Sequence, residues 1–174
     1  MKLLQNALGA KGRGSSTGMK PQNAAEVLDQ IDRALQECLA GRNAEAFLEF
    51  FRNYRRKHFY RFLETVEFIL SHNFPATSSA KVCEVGLGSA ELSLLLRAAR
   101  PCEIAGTDLR SDLIELLLSS GYYVKHDIEF RFCDLDHDDL PFRSDEFDLV
   151  IFCETLEHLR LASNRAFLKL HRVT

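Results

Sequence analysis

The segment VCEVGLGSA, residues 82–90, decides the fold of this chain. It begins as a short apolar run, passes through Gly86 and Gly88, and leads into the helix-like sequence ELSLLLRAA at residues 91–99. Glycine accepts the positive φ of a sharp turn, and its missing side chain lets a ligand approach the backbone. The segment therefore predicts a strand, a ligand-accessible turn and a helix in succession.

From this segment onward, strand-like apolar runs alternate with helix-like ones. The runs are KVCEVG (81–86), ELSLLLRAA (91–99), CEIAGTD (102–108), DLIELLLSS (112–120), IEFRFCD (128–134) and FDLVIFC (147–153). Such alternation predicts βαβ units and the α/β class, with a Rossmann-like parallel sheet and flanking helices. The apolar run Phe147–Cys153 suits a strand that is buried on both sides.

The sequence before residue 80 has a different pattern. Residues 1–22 are rich in Gly, Ser and Lys and predict a flexible tail. Residues 23–40 carry apolar side chains at i, i+3 and i+4, which predicts an amphipathic helix capped by Asn23 and ended by Gly41. Residues 43–72 fit one long helix or two shorter ones. We therefore predict an N-terminal helical cap at 23–79 and a sheet domain at 80–174.

The second helical stretch is basic, with Arg52, Arg55, Arg56, Lys57 and Arg61. A run of charges usually marks a solvated helix face. The alternative is that this stretch forms a lid or wall that attracts an acidic small molecule.

Two acids accompany the glycine turn. Glu84 precedes the turn, and Glu91 stands where a dinucleotide-binding fingerprint would carry its third glycine. A carboxylate beside a pyrophosphate is electrostatically unfavourable, so these acids favour a ligand with a cationic group. They weaken the alternative of an NAD(P)-dependent oxidoreductase.

Further acids follow the next two predicted strands. Asp108 lies 22 residues after the first glycine of the turn, a spacing at which a carboxylate meets a ribose diol. Its alternative role is to cap the following helix, although Ser111 or Asp112 would serve equally well. Asp134 follows the third strand and can accept a hydrogen bond from an exocyclic amine such as that of adenine. Because ligands bind at the carboxyl ends of parallel strands, these acids and Glu84 predict one crevice.

Three motifs of the chain resemble those of the class I S-adenosylmethionine-dependent methyltransferases. They are EVGLGSA (84–90), GTDL (106–109) and DLDHDDLPFRSDEFDLVIFCETLEHL (134–159), in similar order and spacing. The resemblance covers residues 80–174 and implies the first four strands of a seven-strand methyltransferase sheet. One departure is Ala90, where many members carry a third glycine. We expect position 90 to be helical already, so that alanine costs little there.

The resemblance implies S-adenosyl-L-methionine as the cofactor. The residues that it implies for binding are Glu84, Gly86 and Gly88 for the methionine part, Asp108 for the ribose hydroxyls, and Asp134 with Leu135 for the adenine. Glu154 would face the cofactor or the substrate, and His158 would act as a general base or substrate contact. Both are our predicted catalytic residues. The implied reaction is methyl transfer to an oxygen or nitrogen of a small-molecule acceptor.

The segment ETLEH could instead hold a metal. Glu154, Glu157 and His158 would share one face if the segment were helical, and two carboxylates with an imidazole can ligate a divalent cation. A similar Glu-x-x-Glu-His occurs in ubiquinone-pathway O-methyltransferases and small-RNA 2′-O-methyltransferases, where it looks like a metal triad. Leu-Glu-His is also common in the wider family without a metal, and we predict no metal here.

Composition narrows the partners. The net charge is −3 and the chain has no long apolar run, so we expect neither a nucleic-acid substrate nor a membrane span. Five widely spaced cysteines without a CxxC argue against a disulfide framework or zinc site. The N-terminal stretch is too polar for a secretory signal, so we expect a cytoplasmic protein.

Four predicted strands leave the fourth with an exposed apolar edge, which invites pairing. Either the chain is a fragment or truncated product of a longer protein, or a partner chain or second copy covers this edge. A non-catalytic methyltransferase-like binding protein is the alternative function.

Overall fold

The computed structural model describes residues 19–72, 74–75, 77, 79–160 and 163–174. Most of the predicted tail at 1–22 lies outside these residues. The elements in chain order are α1 (Pro21–Leu39), α2 (Glu45–Ser71), β1 (Lys81–Val85), α3 (Glu91–Ala99), β2 (Glu103–Asp108), α4 (Asp112–Ser119), α5 (Tyr122–Lys125), β3 (Ile128–Phe132), β4 (Leu149–Ile151) and α6 (Ser163–Val173). A 3-10 turn at Leu156–His158 precedes α6.

The four strands form one parallel sheet in the order β3-β2-β1-β4, as the alternating pattern predicts. Val85 of β1 pairs with Thr107 of β2, and Val82 pairs with Leu149 of β4. Because all strands run the same way, their carboxyl ends share one edge of the sheet. The turn after β1 therefore lies beside the ends of β2 and β4.

Helices cover both faces of the sheet, which makes a three-layer α/β structure. Alternate residues of each strand enter opposite cores: Val82 and Ile104 enter one, and Cys83 and Ala105 enter the other. The first core contains side chains from α1 to α5, and the second contains α6 and the chain around 133–147. The N-terminal helices therefore pack into the same core as the sheet; the domain boundary at 79–80 stays a prediction.

The N-terminal helices differ from their predicted bounds in one respect. The first helix begins at Pro21 rather than at a cap on Asn23, because proline has no backbone N–H and suits the first position of a helix. Gly41 has a φ of 73° just beyond the end of α1, as predicted. Residues 45–71 form one uninterrupted helix. In the described part of the chain, no helix is both long and apolar enough to span a bilayer.

The fourth strand is shorter than the predicted run of residues 147–153. Its three residues, Leu149–Ile151, pair with β1. Before them, the backbone N–H of Phe147 donates to the carbonyl of Val173 at 2.9 Å, and Asp148 accepts from the N–H of Lys81 at 2.8 Å. These contacts join the entrance of β4 to α6 and to the start of β1. In the described chain β4 lies at an edge of the sheet, as expected.

The basic stretch of α2 is not a uniformly solvated face. Arg55 is 4% exposed and lies between two acids, Asp32 of α1 and Glu91 of α3. The guanidinium contacts Asp32 and lies 3.4 Å from Oε1 of Glu91. A buried cation with two carboxylate partners joins three helices, so Arg55 is a structural residue rather than part of a substrate-attracting wall.

We predict that Arg55→Ala destabilises the protein by about 3–5 kcal/mol, because it leaves the buried Glu91 without its cation and removes one of the two cations beside Asp32. Arg52→Ala is the matched control: Arg52 also contacts Asp32, at 3.2 Å, but is 55% exposed, so its loss should cost under about 1 kcal/mol. Urea unfolding of both variants measures the difference. Equal effects would contradict a buried structural role for Arg55.

Candidate functional site

The turn between β1 and α3 is fixed by its neighbour β2. The backbone N–H groups of Gly86 and Leu87 both donate to the carbonyl of Thr107, at 2.9 and 3.0 Å. The N–H of Gly88 donates to Oδ2 of Asp108 at 2.9 Å. Three consecutive donors of the turn are thus held at the end of β2, which brings the predicted glycines and Asp108 together.

The two glycines of the turn serve different purposes. Gly86 has a φ of 81°, and a Cβ there would clash with the hydroxyl of Thr155. That hydroxyl donates to the carbonyl of Val85 at 3.1 Å, so the segment after β4 packs closely on the turn. Gly88 has a φ of 49°, and a Cβ there would meet open space. The backbone at Gly88 is consequently open to a ligand.

Two tyrosines of α5 hold the far side of the turn, a role that the sequence analysis missed. The hydroxyl of Tyr122 donates to the carbonyl of Ser89, and that of Tyr123 donates to the carbonyl of Gly88, both at 2.9 Å. Both side chains are buried. The sequence signal for this role was a pair of hydroxyl-bearing residues directly after Gly121. The segment is too short to show the periodicity of a helix.

Position 90 is not helical, contrary to the expectation. Ala90 is the N-cap of α3 and has a φ of 62° and a ψ of 28°, in the left-handed region. Its N–H donates to the carbonyl of Leu87 at 2.8 Å, which closes the turn before the helix begins. Alanine is strained in this conformation and glycine is not, so the departure from the family pattern has a real cost.

A cavity of about 350 Å³ lies between α2 and the turn. Three acids line it: Glu84, Glu91 and Glu154. The opposite wall is aromatic and is contributed by α2. Glu91 is paired with Arg55 and accepts from the hydroxyl of Ser89. We name this space the first cavity.

Glu84 is the acid of the first cavity that is best placed to hold a cation. Its carboxylate is buried and accepts from the backbone N–H of Ser93 at 3.2 Å and from the Ser93 hydroxyl. Burial raises the pKa of Glu84 to about 8, and the negative charges of Glu91 and Asp108 add to the rise, while the Ser93 hydrogen bonds oppose it. A ligand cation would remove much of this desolvation cost.

A second cavity of about 230 Å³ lies at the ends of β2 and β3. Its lining includes the other predicted site residues: Asp108, Asp134, Leu135 and His158. Gly86 and Glu154 line both cavities, so the two spaces meet at these residues. The structure therefore places all eight predicted site residues on the linings of two neighbouring cavities at the carboxyl edge of the sheet.

Asp108 is part of the turn rather than a helix cap. Besides the Gly88 contact, it accepts from the N–H of Leu109 at 2.7 Å, and burial raises its pKa although both backbone donors lower it. The cap of α4 is Ser111, whose hydroxyl accepts from the N–H of Ile114. Beside Asp108, the buried hydroxyl of Thr107 has no hydrogen-bond partner among the described residues.

Asp134 is half-exposed and already structures its own loop. It accepts from the N–H of Asp136 at 3.0 Å, and Nδ1 of His137 lies 2.9 Å from its Oδ2. These contacts orient the carboxylate after β3. His137, which no sequence pattern placed near the site, is therefore a neighbour of a predicted site residue.

Glu154 lies in a strained bend after β4. Its φ is 55°, and its Oε1 lies 2.7 Å from Nη1 of Arg61 on α2. His158 ends the 3-10 turn Leu156–His158, which excludes Glu154, so the helical face required for a metal triad does not form. No cluster of three His, Cys, Asp or Glu side chains suited to a metal occurs within residues 19–160 and 163–174 that the structure describes.

The family model described as "Methyltransferase domain" matches residues 83–174. A solved protein of Pyrococcus horikoshii OT3 is 26% identical and superposes with a TM-score of 0.53, covering 69% of this chain and 52% of that one. No curated protein matches the chain.

Two further solved proteins extend the likeness over the N-terminal helices. A Methanococcus maripaludis protein assigned as an S-adenosyl-L-methionine-dependent methyltransferase covers 95% of this chain and 63% of that one, with 14% identity and a TM-score of 0.51. A Haloferax volcanii protein, assigned as a methyltransferase and in complex with the Trm112 methyltransferase activator, covers 89% and 56%, with 18% identity and a TM-score of 0.51. These two likenesses show the fold. The chain spans about half of the length of such solved proteins.

We predict that Ala90→Gly stabilises the protein by about 0.5–1 kcal/mol, because glycine relieves the left-handed strain at the cap of α3. Ala98→Gly is the control, since Ala98 is exposed within the same helix. There glycine should cost about 0.5–1 kcal/mol. Chemical unfolding measures both, and a loss of stability in both variants would mean that position 90 behaves as helix interior.

Proposed function

The chain belongs to the methyltransferase domain family, and on that premise we propose that it binds S-adenosyl-L-methionine and methylates an oxygen or nitrogen of a small-molecule acceptor. The observation that carries this proposal is the buried Glu84, an acid without a cationic partner among its described contacts, beside a turn whose backbone is open at Gly88. Acids at the ends of β2 and β3 continue the same crevice.

The first cavity suits the methionine part of the cofactor. When bound, the cofactor supplies a methyl group on a positively charged sulfur. Glu84 would bind the ammonium group, and Gly86 and Gly88 would allow close approach of the ligand to the turn. Glu91, a carboxylate where a dinucleotide-binding fingerprint carries its third glycine, agrees with a ligand that has no phosphate there.

The second cavity suits a nucleoside. Asp108 would accept hydrogen bonds from the two ribose hydroxyls, since each of its oxygens can accept a second bond beside its backbone partner. Asp134 would accept from the exocyclic amine of adenine, and Leu135 would pack against the ring.

Glu154 and His158 would act on the acceptor. Glu154 lines both cavities and so lies where the methionine and nucleoside parts would meet, while His158 lines the second cavity. We propose that Glu154 takes the proton from the acceptor hydroxyl or amine as the methyl group arrives, and that His158 contacts the substrates. The left-handed bend at Glu154 is the kind of strain that is kept at functional sites.

The cofactor assignment is tested by ligand protection against heat. S-adenosylhomocysteine, but not NAD⁺, should raise the melting temperature of the wild-type protein. Asp108→Asn should weaken S-adenosylhomocysteine binding at least tenfold, because it removes a charged acceptor for the ribose diol.

Glu103→Gln is the matched control for Asp108→Asn, since Glu103 is an exposed acid at the opposite end of the same strand. The affinity of this variant for S-adenosylhomocysteine should equal that of the wild type. Protection by NAD⁺ alone would favour the oxidoreductase alternative, and protection by neither ligand would favour a relative that does not use the cofactor.

The catalytic assignment is tested with any acceptor that the wild type methylates. Glu154→Gln should lower kcat about 100-fold or more, since glutamine cannot take a proton. S-adenosylhomocysteine affinity should stay unchanged. A kcat close to that of the wild type would rule out Glu154 as the base, and a larger effect of His158→Gln would transfer that role to the histidine.

The partner and the location are also proposals. In the described chain β4 pairs with β1. The helix α6, which follows β4 in the chain, carries the exposed side chains Phe167 and Leu168. We propose that a partner chain or a second copy covers the free edge of β4; an exclusively monomeric protein in light scattering, with no complex recovered, would oppose this. All five cysteine thiols are free, which agrees with a cytoplasmic location; fractionation of cells tests it.

A further inference from the structure

The aromatic wall of the first cavity has no role in binding the cofactor groups described above. It consists of side chains from α2: Phe50, Phe51, Tyr54 and Phe62. Phe50 is 57% exposed, and its ring stacks on that of Tyr54 at 6.1 Å with 17° between the planes. Exposure of these stacked aromatic rings to water is unfavourable. A ligand that covers the rings would remove this cost.

The first cavity has two chemically different sides. Its volume of about 350 Å³ falls within the range of small-molecule sites, roughly 300–1,000 Å³. Its polar acids lie on the sheet side and its rings lie on α2. The two sides therefore suit two different ligands, one cationic and one flat and apolar.

Arg61 is the one cationic side chain that lines the first cavity among the described residues. It belongs to the aromatic wall, because its Nη2 donates to the Tyr54 hydroxyl at 2.9 Å and its guanidinium lies within 5.7 Å of the rings of Tyr54 and Phe62. Its other partner is Glu154, on the chain segment after β4.

The Arg61–Glu154 pair is exchangeable. The side chains are 34% and 47% exposed, and ion pairs between such exposed side chains add little to stability. A guanidinium presents five donors in a plane and binds carboxylates in bidentate fashion. A ligand carboxylate that stacks its ring on Phe50 and Tyr54 could therefore take the place of Glu154.

We propose that the α2 wall is the acceptor site and that it selects a small aromatic carboxylic acid. The ring lies on the Phe50–Tyr54 stack, and the carboxylate binds Arg61. Glu154, released from Arg61, is then free to take the acceptor's proton. The inference rests on the proposed function for the assumption that the bound ligand is the methyl acceptor. Binding to the α2 wall can be tested without turnover.

The test is a titration of four probes by ligand-detected NMR, with protein first saturated with S-adenosylhomocysteine. The probes are benzoate, benzyl alcohol, benzylamine and cyclohexanecarboxylate. Benzoate should bind at least fivefold more tightly than each of the others, since it alone combines a flat ring with an anionic group.

Variants separate the ring from the charge. Phe50→Ala should weaken benzoate and benzyl alcohol alike, whereas Tyr60→Ala, at an exposed aromatic of α2 outside the cavity lining, should weaken neither. Arg61→Gln should remove the preference for benzoate over benzyl alcohol. Arg61→Lys should retain part of the preference, because the charge remains and the planar fork is lost.

The outcomes distinguish this inference from the proposed function. Binding of S-adenosylhomocysteine without any preference among the probes would overturn the inference alone. Loss of S-adenosylhomocysteine affinity in Arg61→Gln, with the probe preference intact, would assign Arg61 to the cofactor and also overturn it. Failure of S-adenosylhomocysteine to bind, with benzoate still preferred, would contradict the cofactor and leave the aromatic wall supported.

Discussion

The turn between β1 and α3 is the constraint on which the site depends. Its donors are held by the carbonyl of Thr107 and the carboxylate of Asp108, and its carbonyls are held by the hydroxyls of Tyr122 and Tyr123. With both sides of the turn fixed, the backbone at Gly88 stays open and Glu84 stays buried beside it. A ligand therefore meets a site that is formed before it binds, which reduces the entropy lost on binding.

Two ion pairs join α2 to the site, one in the interior and one nearer the surface. In the interior, Arg55 neutralises Glu91 next to the turn and leaves Glu84 as the buried acid without a cationic partner among its described contacts. Nearer the surface, Arg61 holds Glu154 where the two cavities meet. The deep pair fixes the position of α2, and the shallow pair can exchange its partner. The α2 helix thus forms one wall of the first cavity.

The sequence predicted what depends on local pattern. The parallel sheet and the positions of Glu84, Asp108 and Asp134 follow from the ends of apolar runs. Burial of Arg55 could not be predicted, because its partners Asp32 and Glu91 lie 23 and 36 residues away in the chain. Tyr122 and Tyr123 lie in a four-residue helix that is too short to show a period. Ala90 lies at a helix boundary, where composition does not distinguish a cap from the first helical residue.

Proton release on binding S-adenosylhomocysteine tests the central claim most directly, namely that Glu84 holds the cofactor's ammonium group. With a pKa of about 8, Glu84 is largely protonated at pH 7 in the free protein, and a cation beside it lowers that pKa. Calorimetry at pH 7 in two buffers of different ionisation enthalpy should show release of close to one proton per ligand, and affinity should rise between pH 6 and pH 8. Glu84→Gln should release none. Equal proton release by both proteins would contradict the account.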